Sequence, residues 1–212
     1  MQNKTSSRAW PVASLFTATL ALIASSHLAP GQSPGASTSP ATTAAASAAS
    51  ATSTNRPIPV HILAGYGANK TIAGTNWLAG DKFFPDGDVI ERPDIAIVTN
   101  TNTGPAVIYQ AERYSMSKFT YAPVANGDYT VKLHFCETFD GITGTGQRVF
   151  GYAVKGDGPP VKDFDVFATA NGALKPVVKT VPITVTNRTI EVEFTPNVEN
   201  PQINAIEILS GR

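Results

Sequence analysis

Short runs of alternating apolar and polar residues constrain this chain more than any other feature. Val131, Leu133 and Phe135 alternate with Lys132 and His134. Phe150, Tyr152 and Val154 alternate with Gly151 and Ala153, and Ile190, Val192 and Phe194 with Glu191 and Glu193. Successive side chains of a strand point to opposite faces, so each run reads as a strand with one buried face. Residues 60–63, 95–98, 106–110, 161–167, 177–185 and 204–209 are further predicted strands. Turn signals punctuate them: Asn126–Gly127, the GDGPP stretch 156–160, Asn171–Gly172 and Thr186–Asn187. No long helical period and no internal repeat interrupts the pattern. Many short strands separated by turns predict an all-β fold, an antiparallel sandwich of jelly-roll type.

The pattern does not begin at residue 1. Lys4 and Arg8 precede an apolar run, PVASLFTATLALIASS, over residues 11–26. A basic start followed by a short apolar segment reads as a secretory signal over residues 1–26, with small residues at Ala24 and Ser26 placing cleavage before His27. The alternative is an uncleaved membrane anchor, which the serines and threonines of the run weaken. Residues 27–56 are rich in Ala, Ser, Thr and Pro, and from Ser33 to Asn55 they carry no aromatic and no charge. Such a segment buries too little surface to offset its chain entropy and reads as a disordered linker. Residues 57–212 are left as one domain, long enough to stabilise itself by core burial. A signal followed by a linker predicts a secreted or extracytoplasmic location, in the periplasm or at the cell surface.

Charge and cysteine usage narrow the partners. Sixteen Lys and Arg against sixteen Asp and Glu give zero net charge, and the basic residues do not cluster. Neither nucleic acid nor an anionic membrane surface is an expected partner, apart from a membrane holding an uncleaved N-terminal segment. Cys136 is the only cysteine, so no disulfide within the chain is expected.

The stretch LHFCETFDGITGTGQRVF, residues 133–150, concentrates the chemistry. His134 and Cys136 share a strand face but stand side by side, whereas a Cys–His couple needs contact and a third group to orient the base. A lone strand cysteine is more often a small packing residue. GITGTGQR lacks the Lys–Ser/Thr pair of a phosphate-binding loop and leads into a strand instead of a helix. Glycosidase chemistry needs two carboxylates facing across a cleft; Glu137, Asp140 and Glu199 are the candidates. Asp81, Asp86 and Asp88 in DKFFPDGD could offer oxygens to calcium, but their spacing departs from the EF-hand, and an acidic turn is the simpler reading. No cofactor and no metal site is predicted. Sugar binding is the remaining reading: Phe139 offers a ring to the C–H face of a pyranose, and Glu137, Asp140 and Asn200 offer polar atoms.

The order of five motifs then carries a resemblance. VIYQAERYS, FTYAPVANGDYTVKLHFCETF, GQRVFGYAVKG, VKDFDVFATANG and ENPQINAIEIL follow one another as in the malectin domain, and HILAGYG with NWLAGDKFF fits with more variation. The resemblance covers nearly all of residues 57–212. It implies a β-sandwich, lectin-like module that binds glucose-containing oligosaccharides through loop aromatics and an acid. Tyr114 matches the tyrosine closing the QxERY motif. Phe139 matches the aromatic after the strand, where the animal protein has tyrosine. Asp140 stands where the family has a second aromatic, exchanging a stacking surface for a charge. Glu199 matches an aspartate, one methylene longer. A further family tyrosine has no clear counterpart; Tyr66, Phe83 and Phe84 are candidates. Trp77 and Tyr109 read as core, and Asp163 and Asp165 as residues that hold neighbouring loops.

The animal malectin acts in glycan quality control in the endoplasmic reticulum. The end of this chain, INAIEILSGR, carries neither a membrane helix nor a retention signal, so an exported carbohydrate-binding protein is expected instead. Its partner would be an oligosaccharide or glucan, and it could serve a separate carbohydrate-active enzyme. The alternatives are a cell-envelope protein-interaction module on the same fold and, less favoured, a glycosidase. Asn69 and Asn187 head glycosylation triplets, which matter only in a host that glycosylates.

Overall fold

The structure is a computed structural model that describes residues 54–156 and 158–211. The signal and all but the last three residues of the linker expected from the sequence lie outside the described residues. Residues 55 and 56, just ahead of the expected domain start at 57, are bonded to it. The Arg56 amide donates to Pro123 O at 2.7 Å, and the Arg188 guanidinium donates to Asn55 Oδ1 at 2.9 Å.

Thirteen strands are assigned among the described residues. The largest sheet has six, in the order β10 (Val177–Val185), β7 (Gly127–Phe135), β13 (Ala205–Ser210), β1 (Val60–Leu63), β3 (Thr75–Ala79) and β2 (Lys70–Ile72). The second has four: β6 (Lys118–Tyr121), β11 (Ile190–Val198), β8 (Val149–Val154) and β9 (Val161–Phe164). A third small sheet joins β12 (Gln202–Ile203), β5 (Ala111–Tyr114) and β4 (Asp88–Glu91). The strand pairs are antiparallel except β1 with β3. The chain is an antiparallel β-sandwich.

The alternating runs do what their period requires. Val131, Leu133 and Phe135 of β7, Val181, Ile183 and Val185 of β10, and Ile206 and Ile208 of β13 point inward from the six-stranded sheet. Phe150, Tyr152 and Val154 of β8 meet them from the four-stranded sheet, together with Ile190, Val192 and Phe194 of β11. Burying each such side chain contributes roughly 1.5–3 kcal/mol, so this layer dominates stability. Phe135 lies 4.9 Å from Phe164, ring centre to ring centre, and Phe150 lies 5.5 Å from Phe164. That aromatic cluster fixes the end of β7, from which the loop bearing Phe139 departs.

A second, smaller core lies apart from the first. It gathers Leu63, Tyr66, Trp77, Ile108, Tyr109, Cys136 and Ala205. The residues expected to form strands at 95–98 and 106–110 lie in this region, but neither stretch pairs with a sheet. Residues 95–98 run without regular structure, and Ala106–Tyr109 is a turn of 3-10 helix. Ile97, Val107, Ile108 and Tyr109 pack on this cluster, so hydrophobicity without ladder pairing produced the strand reading. The predicted strand at 161–167 ends at Phe164, because the Asp165 side chain accepts from the Ala168 amide and starts the helix α1 (Val166–Ala170). The predicted strand at 204–209 is β13, shifted by one residue, with Asn204 in the gap that separates it from β12.

Candidate functional site

The small sheet is the platform of the site. On β5, Glu112 and Tyr114 share one face and Ala111 and Arg113 the other, because strand side chains alternate. Arg113 turns toward the scaffold: Nε donates to Ala64 O at 3.1 Å, Nη1 to Gly87 O at 2.9 Å, and Nη2 binds the Asp81 carboxylate. Asn204, in the gap between β12 and β13, donates to Ala111 O at 2.8 Å and ties β5 to the large sheet. Gly65 permits the approach, since a Cβ there would stand 2.3 Å from the Glu112 amide nitrogen. The opposite face of β5 is thereby aimed outward. Ile90 pairs with Glu112 across the β4–β5 ladder, and Gln202 pairs with Tyr114 on the other side.

A depression of about 310 Å³ opens over this face, lined by Tyr114, Phe139, Glu199 and Asn200 together with Ile90, Arg92, Glu112 and Arg148. Four residues expected at the site from the sequence thus share one hollow. Phe139 is 41% exposed. Its amide donates to Glu137 Oε1 at 3.1 Å, and its ring lies over Gly141, where a Cβ would stand 2.4 Å from Cε1. Glu199 has φ 61°, a left-handed backbone that a non-glycine residue adopts at a cost. Its Oε2 accepts from the Asn200 amide at 3.2 Å, and among the described residues no cation forms an ion pair with it.

Under the hollow runs a buried polar network that sequence reasoning missed. Arg92 Nη1 donates to Glu112 Oε1 at 3.1 Å and to Thr138 Oγ1 at 3.0 Å, and Thr138 Oγ1 donates to Glu112 Oε2 at 2.7 Å. Arg148 Nε donates to Glu137 Oε2 at 2.8 Å and Nη1 to Asn200 O at 2.7 Å. Buried charges persist when paired and hydrogen-bonded, and each guanidinium here has its carboxylate. Burial pushes the Glu137 carboxyl above the usual range, against the pull of Arg148. Glu112 was legible in principle: it sits two residues before Tyr114, on the same strand face. Arg92 and Arg148 carried no local signal, because their partners are distant in the chain.

Other expected residues lie elsewhere. Tyr66 is buried in the smaller core, its hydroxyl donating to Val107 O at 2.9 Å, so it does not line the hollow. Phe83 and Phe84 are buried in the main core and offer no stacking face. Asp140 lies on the other side of Phe139, at the edge of an adjoining depression. Glu137 is 1% exposed and supports the loop from beneath instead of offering atoms to a ligand. Asp81 is taken by Arg113, and Asp86 accepts from the Ser117 amide and hydroxyl. Among the described residues, no three His, Cys, Asp or Glu gather as a metal site.

The remaining expectations concern support. Trp77 and Tyr109 are core. Asp165 accepts from the Gly146 amide at 2.6 Å and so holds a loop, whereas Asp163 on β9 accepts from Asn197 of β11 at 2.9 Å and joins two strands instead. Cys136 is a free, buried thiol whose pKa is raised by burial and by Glu112 and Glu137, which makes it a packing residue and a poor nucleophile. His134 bonds to Tyr109 and to Glu207, each at 2.8 Å, so it is engaged away from Cys136.

A sandwich with a part-polar, part-aromatic hollow on its edge loops is the architecture of a binding module. Comparison with known proteins makes the class specific. The malectin domain matches residues 59–206, and the chain belongs to that family. It is 37% identical over 95 residues to a probable LRR receptor-like serine/threonine-protein kinase of Arabidopsis thaliana, covering 42% of this chain and 9% of the kinase. A second such kinase is 30% identical over 142 residues, covering 59% of this chain and 14% of the kinase. The chain therefore spans only a small fraction of the curated relatives it matches.

Among solved structures, the plant complex of peptide RALF23 with FER and LLG2 superposes with TM-score 0.60 at 19% identity, over 70% of this chain and 47% of that one. The ANXUR2 extracellular domain of Arabidopsis thaliana gives 0.58 at 19% identity, over 70% and 47%. A β-glucuronidase of Bacteroides uniformis gives 0.60 at 17% identity, over 73% of this chain but 18% of the enzyme. At such identities the likeness is one of fold. No helix among the described residues is long and apolar enough to cross a membrane.

Proposed function

We propose that this chain is an exported, non-catalytic carbohydrate-binding domain that recognises a glucose-containing oligo- or polysaccharide at the hollow above β5. The observation that carries the reading is the meeting of Tyr114, Phe139 and Glu199, from three distant stretches, around one depression. Rings supply apolar faces to sugar C–H groups, and Glu199 and Asn200 supply hydrogen-bonding atoms for hydroxyls. The two arginines are neutralised by Glu112 and Glu137, so the hollow presents polar atoms without a strong positive field. A mismatched hydroxyl would leave buried polar groups unpaired, which gives selectivity.

Catalysis fits this site poorly. Glycoside hydrolysis needs an acid and a second carboxylate on either side of the scissile bond. Glu137 has a raised pKa but is sealed under Arg148, and Glu112 is clasped by Arg92 and Thr138. The decisive experiment is a glycan array followed by calorimetric titration of residues 54–212. Saturable binding with no released reducing sugar supports the proposal; a silent array removes it.

A second reading follows from the relatives, which are named as receptor-like kinases, and from a fold neighbour solved with a peptide. On that reading the same hollow takes a protein loop. A silent array together with a specific, saturable protein partner would favour it.

A further inference from the structure

The hollow does not end at Phe139. On the far side of that residue lies a second depression of about 380 Å³, lined by Ile95, Ile142, Phe167, Ala173 and Leu174, with the polar Asp140 and Thr143 also bordering it. Thr138 and Phe139 border it, and Phe139 lines both depressions. The two are chemically unlike. The first carries Arg92, Glu112, Arg148, Glu199 and Asn200; the second is walled mostly by aliphatic and aromatic carbon.

The second depression is held open by main-chain bonds. Leu174 N donates to Glu137 O at 2.9 Å, Val98 N donates to Leu174 O at 2.9 Å, and Ile142 N donates to Phe139 O at 3.1 Å. Three segments distant in sequence are thus fastened around it. Leu174 is held at φ 60°, a left-handed conformation that leucine rarely adopts. Thr138 Oγ1 is already committed to Arg92 and Glu112. An additional hexose placed here would find few partners for its hydroxyls, whereas an apolar group would lose only water.

We infer that the site takes an amphiphilic glycoside: a sugar in the polar hollow, and an apolar aglycone packed across Phe139 into the depression of Ile95, Ile142 and Leu174. This rests on the carbohydrate reading above and makes it more specific, since a plain glucan would leave the second depression unused.

The test titrates full-length protein with methyl and phenyl glycosides of glucose and of maltose, alongside the Ala173→Trp variant, which fills the second depression. The phenyl compounds should bind about tenfold or more tightly than their methyl counterparts, from the apolar area they bury. Ala173→Trp should abolish that advantage while leaving methyl-glycoside affinity and the melting temperature near wild type. An Ile95→Ser variant, which roughens the wall without filling it, should reduce the advantage in part. Equal affinity of methyl and phenyl compounds overturns this inference and leaves sugar binding standing. A phenyl advantage that survives both substitutions overturns it as well. Absence of binding by every glycoside overturns the carbohydrate reading and this inference together.

Discussion

Arg148 and Glu137 form a buried ion pair at 2.8 Å, with side chains 5% and 1% exposed, and the other arm of Arg148 holds the carbonyl of Asn200. One guanidinium therefore joins the roots of two loops, those presenting Phe139 and Glu199. The geometry of the hollow depends on the contact between Arg148 in its lining and Glu137 buried beneath.

Breaking that pair from one side should be costly. Arg148→Met leaves the Glu137 carboxylate buried without its cation, and should lower stability by roughly 3–5 kcal/mol in urea denaturation. The double variant Arg148→Met with Glu137→Leu should recover a large part of the loss. If the double variant is no more stable than the single one, the pair is not the source of the effect.

Truncating the rings should weaken binding without unfolding the domain. Tyr114→Ala and Phe139→Ala should each cost about 1–3 kcal/mol of affinity by calorimetry, in the range of aromatic anchors. Wild-type affinity in both variants would remove these residues from the site.

Gly141 offers a subtler probe. A Cβ at that position would stand 2.4 Å from the Phe139 ring, and the ring, being exposed, can swing away. Gly141→Ala should therefore cost well under about 1 kcal/mol of stability, as surface substitutions usually do. It should reduce sugar affinity several-fold. An unchanged affinity would mean that the ring pose is irrelevant to binding.

Glu199 sets backbone against function. Its left-handed conformation costs a non-glycine residue about 1–2 kcal/mol. Glycine removes that strain but adds entropy to the unfolded chain. Glu199→Gly should thus leave the thermal midpoint near wild type while lowering affinity. A large loss of stability would show that the carboxylate supports the fold and has no separate ligand role.

Glu207 should make stability sensitive to acid. Burial alone would raise its carboxyl. The hydrogen bond and charge of His134, with Lys132 and His61, outweigh that and hold it below the usual range. A depressed folded-state pKa means that the unfolded chain binds the proton first. The stabilisation is present above the unfolded value of about 4.3 and is lost as pH falls through the folded one. The gap in melting temperature between wild type and Glu207→Gln should therefore be wide at neutral pH and narrow progressively as pH falls below about 4.3. A gap that does not narrow on acidification would contradict this assignment.

The sequence alone determined the strands that carry the core. Val60–Leu63 and Val177–Val185 were legible residue for residue, because a two-residue period buries one face whatever the partner strand. The family motifs likewise located Tyr114, Phe139 and Glu199, and these do share a hollow. Period reasoning failed at 95–98 and 106–110, where Ile97, Val107, Ile108 and Tyr109 pack on a small core without joining a ladder. It could not separate Tyr66, buried with its hydroxyl on Val107, from an exposed tyrosine, since exposure depends on what the rest of the chain lays over a residue. The pairing of Arg92 with Glu112 and of Arg148 with Glu137, and the second depression behind Phe139, were decided only by tertiary structure. Strand identity follows from neighbours along the chain, whereas a site is a meeting of side chains whose separation in sequence says nothing of their distance in space.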